Sequence, residues 1–203
     1  MTEQPAIELS DLQASPAGAR MKSPEDLIER ARTGDEEAFR LLFLRYGRPV
    51  LSFTHALVGV RDLAEELTQE TFVRAFKRLR YIRDKTRFST WLFGIARNVA
   101  REALRARRKD SFEQRDGSVV EAIDPRDSPA DELLQKELSL AIRAALASLD
   151  EDKRTVFILR VFQQQTYEQI ATITGFSIAK VKMDLHRARS QVRRRIRPFM
   201  EMR

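Results

Sequence analysis

The chain is 203 residues long, and its 37 Lys and Arg against 30 Asp and Glu leave a formal charge of +7 and a sequence pI near 10.0, which points to a polyanionic partner. Cys is absent, excluding disulfides and thiolate zinc sites; His55 and His186 are the only histidines and lie far apart, so neither a metal centre nor a cofactor is expected. No apolar run approaches the roughly 18 residues of a membrane span, and Met1–Lys22 lacks the apolar core of a signal peptide. With Gly and Pro at 7 each and little strand-like alternation, the expectation is an all-α cytoplasmic protein with no membrane insertion.

Residues 1–22 show no helical period and read as a loose arm. Order is expected from Ser23, where an N-cap is followed by Pro24 and Asp26; Leu27, Ile28 and Ala31 continue a short helix that Gly34 ends. Asp35 caps a second helix, with Ala38, Phe39, Leu42, Phe43 and Tyr46 inward. Past Gly47 and Pro49, a third is expected from Val50, Leu51, Phe53, Thr54 and Leu57, closed by Gly59. Asp62 with Glu65 reads as a capping box opening a helix to about Leu79, with Ala64, Phe72, Ala75, Phe76 and Leu79 as its apolar stripe. Leu63 and Leu67 fall off that stripe, among Glu66, Glu70 and Arg74, and suggest a docking surface for another protein; the alternative is scattered surface leucine. The carboxylates there are accompanied by no phosphate loop or catalytic base, so metal chemistry is not expected.

Arg80–Arg87 is a basic loop, and Ser89 is expected to cap the next helix. Leu92, Ile95, Ala96, Val99 and Ala103 form its core face; Arg97, Asn98, Arg101, Arg105 and Arg108 lie opposite. Tyr81, Phe88, Trp91 and Phe93 crowd the upstream end, and a cationic face with aromatic platforms is suited to unstacked bases. The alternative for Phe88 and Trp91 is ordinary core packing. Residues 110–127 then lose the pattern and carry six acids against two bases, a net −4 in a basic chain. This is read as an acidic linker reaching at most roughly 60 Å extended and averaging ~25 Å as a free coil.

Ser128 reopens helix, with Leu134, Leu138, Ile142, Ala145 and Leu149 as its stripe. Ser148 or Asp150 caps the next helix, whose Val156, Leu159 and Phe162 are expected beneath the last two helices of the chain. Thr166 with Gln169 is a capping box, Ile170, Ala171 and Ile173 an apolar face, and Gly175 a tight turn. Ser177 caps a last helix with Ile178, Val181, Leu185, Ala188, Val192 and Ile196 inward. Ala179, Lys180, Met183, Arg187, Ser190 and Arg194 lie on its other face. This is a helix-turn-helix whose second helix suits a major groove.

The chain thus divides into an arm (1–22), a helical domain (23–109), a flexible acidic linker (110–127) and a second helical domain (128–203). Two DNA readers on a flexible tether cannot measure a distance, so reading two spaced elements needs a third body to hold both domains. The leucine-bearing face of the helix from Asp62 is where such a scaffold would dock.

The runs RDLAEELTQETFVRAFKRL, RFSTWLFGIARNVA and SLDEDKRTVFILRVFQQQTYEQIATITGFSIAKVKMDLHRAR resemble a bacterial sigma factor of the extracytoplasmic-function class. The resemblance implies a promoter-specificity subunit of RNA polymerase with sigma regions 2 and 4, and no catalysis of its own. Through the LTQETF motif it implies that Asp62, Glu65, Glu66, Leu67, Gln69 and Glu70 meet the β′ clamp helices of core RNA polymerase, Phe72 belonging to the core instead, and that the second domain meets the β flap. Trp91, Arg97, Asn98, Arg101 and Arg105 would engage the −10 element, with Asn98 facing a base flipped from the stack. Ser177, Lys180, Lys182, Met183, Arg187 and Ser190 would read the −35 element of promoter DNA, and the acidic linker would thread the RNA channel. An anti-sigma factor is a further implied partner; a small-molecule substrate is not.

Met183 and Asp184 stand where the family carries a small polar residue and an arginine, so the −35 preference is expected to differ. Gln163, Gln164 and Gln165 replace a shorter, more acidic or glycine-bearing turn. The remaining alternative is a stand-alone helix-turn-helix regulator whose first domain senses a ligand or dimerises. A nucleic-acid-processing enzyme would need a clustered metal or nucleophile site, for which His and Cys are lacking.

Overall fold

The computed structural model describes residues 23–82, 84, 87–113 and 140–200. The expected arm, three positions of the basic loop, the acidic linker beyond Glu113 and the helix start at Ser128 lie outside the described residues. Among those described, all regular structure is helical: α1 (Pro24–Arg32), α2 (Glu36–Val58), α3 (Arg61–Arg78), a 3-10 turn (Leu79–Tyr81), α4 (Phe88–Glu113), α5 (140–147), α6 (Glu151–Val161), α7 (Tyr167–Thr174) and α8 (Ile178–Met200).

Several starts are set as their sequences demand. The Ser23 hydroxyl accepts from the Asp26 amide and the Asp35 carboxylate from the Ala38 amide. Of the two caps proposed for α6, Asp150 is the one used, accepting from the Lys153 amide. The helix α3 differs: its N-cap is Val60, with no side-chain cap, so Asp62 and Glu65 form no capping box. Ser89 is likewise not the N-cap, because α4 already begins at Phe88.

The two helices expected on either side of Pro49 are one, the 23-residue α2. The buried positions Phe39, Leu42, Phe43, Gly47, Val50, Phe53, Thr54 and Leu57 keep a single three-and-four register across the proline. A continuous apolar face packed on α1, α3 and α4 thus outweighs the local cost of proline inside a helix. Phe43, Phe53, Phe88 and Leu92 are among the largest fully buried side chains of this first bundle, with Phe53 edge-on to Phe93 at 5.4 Å.

The buried face of α3 also departs from the expected stripe. Leu67, Thr68 and Thr71 are buried with Ala64, Phe72 and Ala75, whereas Phe76 is 40% exposed. The threonines can face inward because their hydroxyls are satisfied at home: Thr68 donates to the Ala64 carbonyl at 2.7 Å and Thr71 to that of Leu67 at 2.6 Å. The Thr68 hydroxyl also meets that of Thr54 on α2 at 3.1 Å.

In the second bundle, Val156, Ile158, Leu159, Ile170, Val181, Leu185, Ala188 and Val192 form the core, with α6 and α7 packed on α8. Phe162 and Ile178, expected inward, are 46% and 39% exposed. Between α6 and α7 the Gln163–Gln165 turn holds Gln164 at φ 53, the left-handed conformation a glycine would adopt without strain. Arg160 braces the turn by donating to the Gln165 carbonyl at 2.8 Å.

The two bundles lie against each other, α4 on α7 and α2 on α6. The guanidinium of Arg154 on α6 bridges the seam, donating to the Leu57 carbonyl at the end of α2 and to the Ala147 and Leu149 carbonyls.

Candidate polymerase-docking and DNA-binding surfaces

Three helix faces carry the residues singled out from the sequence. On α3, Asp62, Glu66, Gln69 and Glu70 are exposed along one face, with Glu65 partly covered and paired to Arg61 at 3.0 Å. Leu67 is 7% exposed and belongs to the core, and Leu63 is packed against it. The leucine docking face expected from the wheel is therefore corrected: the exposed apolar groups continuing the acidic face are Val73 and Phe76, 37% and 40% exposed. Their spacing from Gln69, four and seven positions, was the signal available in the sequence.

On α4, Asn98 is exposed and sits in an open depression of about 300 Å³ lined by Arg74, Arg78, Ile95, Arg101, Glu102 and Arg105. Arg74 and Arg78, contributed by α3, were not singled out from the sequence. Arg74 ties the two helices by pairing with Glu70 at 2.7 Å and Glu102 at 2.8 Å. The aromatic platform is smaller than expected, because Phe88 and Phe93 are 1% and 3% exposed. Trp91 is half-buried with its ring 5.7 Å from Phe88; Tyr81 alone of the four is largely exposed, under the Arg80 guanidinium at 4.7 Å.

Arg97 was placed on the open cationic face of α4, but it is only 5% exposed. Its guanidinium lies 5.5 Å over the ring of Phe176, in the turn between α7 and α8. Burial, then the neighbouring Arg101 charge, lowers its pKa. Arg101 pairs with Glu151 at 2.8 Å and Arg108 with the same carboxylate at 3.5 Å. Part of the cationic face of α4 is thus covered by the second bundle.

The helix-turn-helix has the expected local chemistry. Thr166 and Gln169 make both bonds of the capping box, Gly175 takes φ 74, and the Ser177 hydroxyl accepts from the Lys180 amide at 3.2 Å. Ser177, Lys182, Met183, Arg187 and Ser190 are exposed; Met183, Arg187 and Ser190 share one stripe of α8, and Lys182 stands beside it. Asp184, expected on the DNA side, is 4% exposed and pairs with Lys180 at 2.5 Å. Lys180 also meets Asp152 of α6 at 3.2 Å, and hydrogen bonding to Asp184 raises its pKa.

The described residues hold no cluster of metal-ligating side chains, and no described helix is long and apolar enough to cross a membrane.

Residues 42–110 match the model of sigma-70 region 2, and residues 139–192 that of sigma-70 region 4. The chain is 31% identical over 183 residues to an RNA polymerase sigma-H factor of Pseudomonas aeruginosa, covering 87% of this chain and 95% of the relative. It is 30% identical over 181 residues to an ECF RNA polymerase sigma-E factor of Escherichia coli K12, covering 86% and 94%. The chain belongs to the extracytoplasmic-function sigma factors. Its fold resembles that of the sigma factor RpoE crystallised with the anti-sigma factor NepR from Bartonella quintana. That match has a TM-score of 0.68 at 25% identity, covering 78% of this chain and 96% of the other. As a sigma factor it confers promoter specificity on RNA polymerase in transcription initiation. The stand-alone regulator is not favoured.

The seam carries a titratable group of its own. The His55 imidazole at the α2 side lines a cleft with Arg48, Leu51, Arg61, Leu146 and Phe162, and its Nε2 is buried without a partner. Burial, then the Arg143 and Arg61 charges, lowers its pKa below the ordinary 6.5. The folded chain therefore prefers the neutral ring, and unfolding takes up a proton once pH falls below that value. The stability from this group is full above it and lost below. Chemical unfolding of His55→Gln should show a flatter loss of stability between about pH 7 and 5 than the parent chain; superimposable profiles would contradict this.

Proposed function

We propose that the three faces divide promoter initiation among them. The α3 face (Asp62, Glu65, Glu66, Gln69 and Glu70, together with Val73 and Phe76) docks on the β′ clamp helices of core RNA polymerase. Residues 23–109 and 128–203 act as the two DNA-engaging domains, with 110–127 as the tether and the second domain against the β flap. In α4, Asn98 receives a base extruded from the −10 element while Arg101 and Arg105, joined by Arg74 and Arg78, hold backbone phosphate. Trp91 supports the stacked edge. In α8, Ser177, Lys182, Met183, Arg187 and Ser190 read the −35 duplex.

The observation that carries this reading is the depression around Asn98. A neutral amide donor and acceptor sits inside a ring of guanidiniums, which is what an unpaired base on a phosphate backbone calls for. Opening DNA this way makes and breaks no covalent bond, so no catalytic residue is assigned. Unstacking costs a few kcal/mol, offset by trapping the base. The protein works in the cytoplasm. The Bartonella quintana relative is bound to an anti-sigma factor, which supports a partner of that kind here.

The free chain does not present all of these groups. With Arg97 under Phe176 and Arg101 on Glu151, a strand reaches the upper part of α4 only after the bundles part. Arg97 joins the −10 contacts in that open form.

Asn98→Ala should reduce promoter opening by reconstituted holoenzyme, read as permanganate reactivity of the −10 strand, well beyond its effect on binding closed duplex; equal losses would remove the flipped-base role. Arg187→Ala should weaken −35 binding and lower the slope of log affinity against log salt by about one, and an unchanged slope counts against a phosphate contact. Phe176→Ala should enlarge the radius of gyration of the free chain in small-angle scattering. It should also strengthen binding to single-stranded −10 DNA by the increase in the open fraction. Unaltered scattering would show that the ring does not hold the bundles together.

A further inference from the structure

The first two turns of α8 are chemically odd for a helix that enters DNA. They contain two lysines, of which Lys180, the one on the forward stripe, has its ammonium held back. Lys180 is held between Asp184 at 2.5 Å and Asp152 at 3.2 Å, with the Phe176 ring 4.2 Å from its Nζ. Lys182 lies 5.6 Å from the ring of Tyr167 on α7. The Asp184 carboxylate, at 4% exposure, is turned inward and so repels nothing in the groove. What remains on the forward stripe is Ala179 and Met183, both exposed, with the Met183 side chain 44% accessible and Arg187 one turn behind it.

We infer that Ala179 and Met183 form an apolar reading edge that selects a thymine through its 5-methyl group, and that Asp184 is the positioning residue keeping Lys180 off that edge. This rests on the reading of α8 as the −35 reader. Thymine alone puts a methyl group into the major groove, and apolar side chains recognise it by contact. A forward ammonium at the same place would instead favour guanine, whose O6 and N7 are acceptors. Withdrawal of Lys180 thus decides which base the first turns prefer. The thioether of Met183 is unbranched and polarisable, so it can follow the methyl without a fixed rotamer. Both carboxylates that hold Lys180 lie within the second bundle, so the arrangement does not depend on the bundles being closed.

The test uses holoenzyme reconstituted from the full chain and bacterial core polymerase, with −35 duplexes selected from a randomised pool. Each selected thymine is then replaced in turn by deoxyuridine, which removes only the methyl group. At one position deoxyuridine should weaken binding about four-fold, the value of one buried methyl-sized group, and in Met183→Ala this sensitivity should vanish. Equal binding of thymine and uracil at every position, or a sensitivity that survives in Met183→Ala, overturns the inference while leaving α8 as the −35 reader. Indifference to scrambling the whole −35 element overturns that reading itself, and the inference with it. In a second arm, Asp152→Asn with Asp184→Asn releases Lys180. Provided the unfolding midpoint shows a folded chain, the salt slope should steepen by about one and the thymine preference should weaken. An unchanged slope and preference overturns the positioning role of Asp184.

Discussion

Two cationic faces cannot lie side by side unless something anionic stands between them. In this chain that role falls to the first turn of α6. Asp150 caps the helix, Glu151 takes Arg101 and Arg108 of α4, and Asp152 takes Lys180 of α8. Three consecutive carboxylates at a helix N-terminus are favoured by the helix dipole, so the acidic turn is stable in its own helix before it meets either basic one. From that turn the seam extends outward, to Phe176 under Arg97 on one side and to Arg154 on the Leu57 carbonyl on the other.

The ionic contacts of the closed arrangement are individually weak. The Arg101 and Arg108 pairs are partly exposed, and such pairs contribute roughly 0–1 kcal/mol each. On the proposed reading of α4, phosphates arrayed along a strand offer those arginines at least as much, with release of counterions in addition. The apolar part of the seam is continuous with the cores of both bundles, Leu146 being buried and Phe176 packed against them, while Phe162 stays nearly half exposed at its edge.

The bundles themselves were legible in the sequence because their signals are local. The capping box at Thr166, the left-handed Gly175 and the apolar steps of α8 specify a helix-turn-helix without outside help. Reading failed where a polar residue was satisfied by its own helix. Thr68 and Thr71 bond backwards to carbonyls and go inward, carrying Leu67 with them and turning Phe76 out, so a wheel drawn from apolar residues alone was rotated. It failed again at Pro49, where a breaker was overruled by packing on both sides. Exposure of the candidate residues follows from helical face at Asn98, Met183, Arg187 and Ser190, and fails at Leu67, Arg97 and Asp184, which are buried. The contributions of Arg74 and Arg78 were missed because they come from α3 to a depression that periodicity in α4 alone cannot reveal.

Asp184 shows how far a position-by-position reading can mislead. An acid in place of an arginine on a DNA-facing helix suggests lost affinity, since a carboxylate near phosphate is repelled. Its inward orientation and a lysine partner reverse that reading: the acid is inside and paired, and on the inference drawn above it acts on DNA only through where it holds Lys180. A buried carboxylate with a single ammonium partner is costly to leave unpaired, so the two residues behave as one unit. On the proposed reading of α8, its specificity then depends on the residues left exposed around that unit, Ala179 and Met183 ahead of it and Arg187 and Ser190 behind.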